Sequence, residues 1–300
     1  MKMNAAYICP AVTAFTRSGD LDLQAQKSVY DNLILGKIGG ILILGSIGEF
    51  FSIPIDRKKA LIREAIMHIN KRAQVIVGTA SMDVNEVVEL SNYAYDQGAD
   101  AVIIVSPYYF ALSPSGIEEY YDYLAERCRG DIYLYNFPER TGYDLSPEIA
   151  LNLVRKHRNI VGYKDTVTGM DHTRELIKLI KPEFPDFKIY SGYDNNFAQN
   201  VLAGGDGCIG GLSNLVPEIC SAWVTAFLQD DLAGVAAIQQ TIDKLMGIYS
   251  VGKPFIPYIK AAMNLRGIPI RAFSTFPMPV PAKQDVKKLR LIMEQANLLA

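Results

Sequence analysis

The stretch Asn159-Ile-Val-Gly-Tyr-Lys-Asp-Thr166 joins a short apolar run to a lysine at its end. Ile160, Val161 and Tyr163 have the β-branched and aromatic character of a buried strand, and the chain turns polar directly afterwards. An ammonium at the end of a buried strand is costly unless it is paired or used as an amine. Burial disfavours the charged form of such a group and so favours the free amine that attacks a carbonyl. Taken alone, the plainer reading of Lys164 is a side chain that snorkels to solvent or pairs with Asp165. The rest of the chain has to decide.

Outward from this run, comparable ones recur at Ala6–Val12, Gly40–Leu44, Gln74–Val77, Asp100–Val105, Asp131–Tyr135, Phe187–Tyr190 and Gly207–Ile209. They are continuous rather than alternating, as expected of strands covered on both faces. Helical patterns lie between them. In Asp56–Asn70, Leu61, Ala65 and Ile69 form one row and Ile62 and Ile66 another; Asp83–Gln97 repeats the pattern with Val84, Val87, Val88, Ser91, Ala94 and Tyr95. Asp56, Asp83 and Ser146-Pro147-Glu148 mark helix starts, and Gly98 a stop.

Eight strands alternating with helices predict a closed (β/α)8 TIM barrel in the α/β class. A doubly wound open sheet would carry a glycine-rich phosphate turn after its first strand, where this chain has Cys9-Pro-Ala-Val-Thr-Ala-Phe15. From about Asp231 the pattern is helix only, over Leu232–Tyr249, Pro254–Arg266 and Asp285–Leu298, with the linker Pro277-Met-Pro-Val-Pro281 before the last. The expected organisation is a catalytic barrel over residues 1–230 and a C-terminal helical appendage over residues 231–300.

Composition narrows the function. A net charge of −2 and a pI near 6.0 provide no field for nucleic acid or an anionic membrane. No segment reaches the roughly 18 apolar residues of a membrane span, and the N-terminal run is too short for a signal peptide. Cys9, Cys128, Cys208 and Cys220 form no CxxC pair, which fits free thiols in a reducing cytoplasm. A soluble, cytoplasmic protein is the expectation.

In such a barrel, functional residues collect at the C-terminal ends of the strands. Those ends read Gly45-Ser-Ile-Gly-Glu49, Ser106-Pro-Tyr-Tyr-Phe110, Tyr135-Asn-Phe-Pro-Glu-Arg-Thr-Gly142, Lys164, Gly192-Tyr-Asp-Asn195 and Gly210-Gly-Leu-Ser-Asn214. One lysine, several phenols, small hydroxyls and glycines facing one mouth suit amine catalysis on a ketone. The lysine forms an iminium that accepts electrons as a neighbouring carbon–carbon bond forms or breaks, and a phenol shuttles the proton. Unpaired amides in Gly45–Glu49 would form a nest for a carboxylate. No metal is expected, because His68, His157 and His172 all read onto flanking helices and form no ligand cluster. No phosphate cradle for pyridoxal phosphate accompanies Lys164.

These residues carry a resemblance over essentially the whole chain. Gly45-Ser-Ile-Gly-Glu49, Tyr135-Asn-Phe-Pro138 with Thr141 and Gly142, and Gly162-Tyr-Lys-Asp165 resemble, in order and spacing, the carboxylate loop, catalytic-tyrosine segment and Schiff-base segment of the dihydrodipicolinate synthase / N-acetylneuraminate lyase family of pyruvate-dependent class I aldolases. The resemblance implies that Lys164 forms the Schiff base and Tyr135 shuttles the proton. It also implies that Ser46 replaces the family's relay hydroxyl and that the amides around Ser46, Ile47 and Gly48 hold the pyruvate carboxylate. Tyr109 would match an aromatic that reaches into a neighbouring subunit's site, and Ile209 an apolar residue on the pocket floor. The family's members are commonly homotetramers, dimers of dimers, that use no metal or organic cofactor.

Several positions bear on the subgroup. The second threonine usual in dihydrodipicolinate synthases is Ile47 here. Asp165-Thr166 after the lysine, and Gly192-Tyr193-Asp194, resemble the branches that handle 2-keto-3-deoxy sugar acids and sialic acid, where the acid helps to hold substrate hydroxyls. Arg140 instead matches the arginine of dihydrodipicolinate synthases that binds the second substrate's carboxylate, a geometry a guanidinium suits; it reads otherwise as a surface arginine paired with Glu139 or Asp144. The expected activity is cleavage or formation of a 2-keto-3-deoxy sugar acid from pyruvate and an aldehyde. The alternatives are condensation of pyruvate with aspartate semialdehyde and a non-catalytic keto-acid-binding barrel.

Overall fold

The computed structural model describes residues 4–299. The apolar runs form β1 (Ala6–Pro10), β2 (Gly40–Ile43), β3 (Gln74–Gly78), β4 (Ala101–Val105), β5 (Ile132–Asn136), β6 (Ile160–Asp165), β7 (Lys188–Ser191) and β8 (Gly207–Ile209). They close into a barrel in sequence order, with parallel pairing from β3 through β8 and between β1 and β2. The expected (β/α)8 architecture is the one observed. β4 and β5 are buried along their whole length, which is why their sequences do not alternate. Helices Leu232–Leu245, Ile256–Leu265 and Lys283–Gln295 follow β8. Among the described residues no helix is long and apolar enough to cross a membrane.

Contacts group the described residues into two compact units, residues 4–6 with 75–209 and residues 7–74 with 210–299. In the first, Asp83 caps the helix Val84–Gln97 by accepting from the Asn85 amide at 2.9 Å, and Gly98 ends it at φ +101°. Ser146 caps Pro147–Lys156 with proline at the first helical position. In the second unit Asp56 lies inside the first turn of Ile55–Ile69 rather than at its cap, which is Pro54. There Trp223 packs the helix Pro217–Leu228 against Leu232–Leu245 through a hydrogen bond to the Val235 carbonyl, 3.2 Å. The Asn214 amide ties β1 to the segment after β8, accepting from the Val12 N–H and donating to the Pro10 carbonyl, both at 2.9 Å.

Two strands run further than their apolar runs, Asp131–Tyr135 and Asn159–Tyr163, indicate. β5 continues one residue, through Asn136, and β6 two residues, through Asp165, so Lys164 lies within its strand. The register pairs Tyr135 with Lys164 and Asn136 with Asp165, and Lys164 with Tyr190 across β6 and β7. Because successive side chains on a strand point to opposite faces, Tyr135 and Lys164 share one face of the wall and Asn136 and Asp165 the other. Below Lys164 the shared face is filled by the Tyr133 ring, 6.2 Å from that of Tyr190. A Cβ at Gly162 would collide with the Tyr133 ring, so the glycine two residues before the lysine makes room for that phenol.

Candidate active site

Lys164 is buried at 4% exposure, and its Nζ lies 4.3 Å from the centroid of the Tyr135 ring. Among the described residues it has no ion-pair partner. Asp165, the partner sequence reading offers, points through the other face of the wall. Its Oδ2 accepts from Thr173 Oγ1 at 2.6 Å and meets His172 Nδ1 at 2.9 Å, while its Oδ1 accepts from Asn136 Nδ2 at 3.1 Å. The amine is therefore buried beside a phenol, with its neighbouring carboxylate occupied elsewhere.

The aromatic column continues above this pair. Phe137 stacks on Tyr135 with ring centroids 6.0 Å apart and 23° between planes, and the Arg140 guanidinium carbon lies 5.4 Å from the Phe137 centroid. Arg140 is exposed, and neither carboxylate proposed for it from sequence pairs with it. Glu139 Oε1 accepts from the Tyr193 hydroxyl at 3.2 Å, and Asp144 is held by His172 and by Asn136 Nδ2 at 2.7 Å. Burial and the Glu139 charge push the Tyr193 phenol up to about 12, so it stays a proton donor. The cation thus stacks on the aromatic column at an exposed position.

Thr166 and the loop after β7 make a polar corner. Thr166 is 5% exposed, its amide donates to the Asn136 carbonyl at 2.9 Å, and its Oγ1 has no hydrogen-bond partner. A Cβ at Gly192 would collide with Thr166 Oγ1, so only glycine lets the β7 loop lie over this hydroxyl. Asp194 follows at 1% exposure, and Ile209 is fully buried at the end of β8. A buried hydroxyl without a partner costs about 1–3 kcal/mol and suits a bound polar ligand. On the loop after β4, Tyr109 is 78% exposed and packs edge-on against Phe110, at 4.9 Å.

In the second unit, the loop after β2 carries Ser46, Ile47 and Gly48. It is held at its C-terminal end: Thr13 Oγ1 donates to the Gly48 carbonyl at 2.6 Å, and the next residue, Glu49, is fully buried. Glu49 Oε2 accepts from the Thr275 amide and hydroxyl at 2.8 and 2.9 Å, and Oε1 from Lys260 Nζ at 2.5 Å. Lys260 also donates to the Phe273 carbonyl at 2.8 Å and to Ser274 Oγ at 3.1 Å. Burial lowers its pKa to about 8, against the pull of Glu49, which raises it. Sequence reading passed over Lys260; its signal is a single cation within the apolar run Ile256–Met263.

His172 also differs from its sequence assignment. It lies on the helix Asp171–Ile180, as read, but at its N-terminus, from where it reaches back to the end of β6. Its two ring nitrogens lie 2.9 Å from Asp165 Oδ2 and 3.0 Å from Asp144 Oδ2. Burial works against its charge, but the two carboxylates prevail and raise its pKa to about 10. Among the described residues no three His, Cys, Asp or Glu side chains group as metal ligands.

The model of the Dihydrodipicolinate synthetase family matches residues 4–296. The chain is 32% identical over 299 residues to an Escherichia coli (strain K12) protein named Probable 2-dehydro-3-deoxy-D-pentonate aldolase YjhH, covering 100% of this chain and 99% of that one. It is 34% identical over 290 residues to the 4-hydroxy-tetrahydrodipicolinate synthase of Fervidobacterium nodosum, covering 96% and 97%. Among solved structures, that of E. coli K12 YagE, a prophage protein of the dihydrodipicolinic acid synthase family in complex with pyruvate, superposes with a TM-score of 0.96 at 32% identity, over 98% of this chain and 99% of that one. An unpaired buried lysine beside a tyrosine at the barrel wall is what such chemistry needs, and the chain belongs to the dihydrodipicolinate synthetase family of pyruvate-dependent class I aldolases and lyases.

Proposed function

We propose that this enzyme cleaves or forms a 2-keto-3-deoxy sugar acid through a Schiff base at Lys164. In the cleavage direction the amine adds to the C2 carbonyl, and loss of water leaves an iminium. The Tyr135 phenol protonates the hydroxyl that departs as this water, and the phenolate so formed takes the proton of the C4 hydroxyl; the C3–C4 bond breaks, and the electron pair of that bond moves toward the iminium to give an enamine and a free aldehyde. Protonation at C3 and hydrolysis release pyruvate and restore the amine. The carrying observation is the Lys164–Tyr135 pair on one rung, with the amine 4.3 Å from the ring and no carboxylate bound to it.

The choice of a polyhydroxylated substrate rests on the buried, unpartnered hydroxyl of Thr166 and on the nearby buried Asp194. The names of related proteins, a pentonate aldolase among them, support it. The Ser46–Gly48 loop is assigned the keto-acid carboxylate, Gly192 the space above Thr166, and Ile209 the pocket floor. Tyr109 is assigned to the site of a neighbouring subunit in a homotetramer, which its exposure suits. A second reading, condensation of pyruvate with aspartate semialdehyde, is favoured by Arg140, whose guanidinium is stacked but unpaired among the described residues. The test is borohydride reduction in the presence of pyruvate with mapping of the modified peptide, followed by turnover on 2-keto-3-deoxy sugar acids and on aspartate semialdehyde. An unmodified Lys164 in an active enzyme removes the mechanism. Turnover confined to the semialdehyde, and lost in Arg140→Ala, selects the second reading.

A further inference from the structure

Behind the wall that carries Tyr135 and Lys164 lies a cluster that the chemistry above does not use. Asp144, Asn136, Asp165, Thr173 and His172 are joined by contacts of 2.6 to 3.1 Å. The groups facing His172 are Asp165 and Tyr163 from β6, the latter with its ring 6.2 Å away, and Asp144 and Glu148 from the segment entering the helix Pro147–Lys156. On its own helix, the exposed Asp171 and Arg174 pair with each other at 3.6 Å.

The position of this cluster in the fold matters more than its strength. Asn136 and Asp165 are opposite each other on the last paired rung of β5 and β6, one residue beyond Tyr135 and Lys164. Past that rung both chains leave the wall as loops, and the end of a ladder frays first. A largely buried ion cluster adds little net stability over apolar packing, because desolvation offsets the attraction. It does favour one geometry: His172 Nδ1 meets Asp165 Oδ2 at hydrogen-bonding distance, while Nε2, which makes no hydrogen bond, is held 3.0 Å from Asp144 Oδ2 by charge alone.

We propose that His172 is a positioning residue of the Schiff-base pair: by joining Asp165 to Asp144 it clamps the final rung of β5 and β6 and so fixes the Lys164 amine against Tyr135. The inference rests on the Lys164–Tyr135 reading above. Its effect runs through the strand backbone, and His172 itself touches no reacting atom. A displacement of the order of 1 Å in such a pair costs up to about 100-fold in rate.

The test uses pyruvate alone. Exchange of its methyl protons with D2O, followed by proton NMR, requires the imine and the proton shuttle but no aldehyde. His172→Gln is expected to slow exchange about 10- to 100-fold without changing the half-saturating pyruvate concentration. In a Tyr135→Phe background the same substitution is expected to add little, because the partner it aligns is gone. Equal slowing in both backgrounds, or none in either, overturns the proposal. If His172→Gln does not fold, Asp144→Asn removes the other arm of the clamp at a half-exposed position and is read in the same cycle. Absence of exchange and of borohydride trapping in the unmodified enzyme would instead remove the Schiff-base reading. A crystal structure of either variant then decides the positioning role: a lengthened Lys164–Tyr135 separation supports it, and one kept at 4.3 Å overturns it.

Discussion

Glu49 and Lys260, 211 positions apart in the chain, form an ion pair with both side chains at 0% exposure and 2.5 Å between Oε1 and Nζ. The pair fastens the end of the Ser46–Gly48 loop to the segment Phe273–Thr275. Removing one partner strands the other charge in a dry site. Glu49→Leu or Lys260→Met alone is expected to cost about 3–5 kcal/mol in urea unfolding, whereas the double variant recovers much of that loss. Additive losses in the double variant would show that the two residues act separately.

In the proposed mechanism Lys164 and Tyr135 divide the chemistry between them. Lys164→Ala is expected to abolish both turnover and pyruvate-dependent borohydride labelling. Tyr135→Phe keeps the amine and its stacking ring, so labelling survives while turnover falls by about 10²–10⁴-fold. Steady-state kinetics with mass-spectrometric labelling separates the two effects.

Thr166→Val deletes a hydroxyl that has no partner in the free protein. Its expected signature is selective. Thermal stability holds or rises, pyruvate labelling is unchanged, and kcat/KM for a 2-keto-3-deoxy sugar acid falls about tenfold, near the upper end for a neutral hydrogen bond. Unaltered kcat/KM across a panel of such acids would mean that the hydroxyl meets no substrate.

Gly162→Ala places a methyl against the Tyr133 ring. Overpacking of this kind is expected to cost about 1–3 kcal/mol and to disturb the floor beneath the amine. Tyr133→Leu in the same chain should return part of the stability in chemical denaturation. Failure to do so would place the strain somewhere other than that ring.

The His172 cluster gives stability a pH dependence of definite sign. Its pKa is about 10 when folded, above the ordinary 6.5, because Asp144 and Asp165 outweigh burial. The folded state therefore holds the extra proton. This contribution is complete below about pH 6.5, declines as pH rises, and is gone above about 10; its ceiling is on the order of 4–5 kcal/mol. The melting temperature of the unmodified enzyme is expected to fall over that window more steeply than that of His172→Gln.

The barrel was legible because its strands are buried on both faces and appear as unbroken apolar runs, as in Ala101–Val105. Lys164 and Tyr135 stood out for a related reason: a cation and a phenol at the ends of such runs are local anomalies. The exact strand ends were not legible, since Asn136 and Asp165 are polar, and the Asp165 side chain is satisfied by Thr173 and His172, which nothing beside the apolar run announces. Arg140 shows the limit of proximity in sequence. Glu139 and Asp144 lie near it along the chain, but Tyr193 and His172 reach those carboxylates from other strands and helices. The Glu49–Lys260 pair was hidden for the same reason, because nothing near Glu49 in sequence announces its counter-charge.

The alternation of side chains along β6 sets a basic and an acidic group next to each other in sequence and sends them into different compartments. Each layer can therefore be substituted separately, the outer one acting on the amine only through the strand backbone. Substitutions among the outer partners of Asp165 can retune how firmly the wall is held without entering the chamber, and substitutions lining the chamber can change which aldehyde is accepted without loosening the wall. A one-residue deletion between Ile160 and Lys164 offers no such freedom, because it would turn the amine into the outer layer and leave the chamber without its proposed nucleophile.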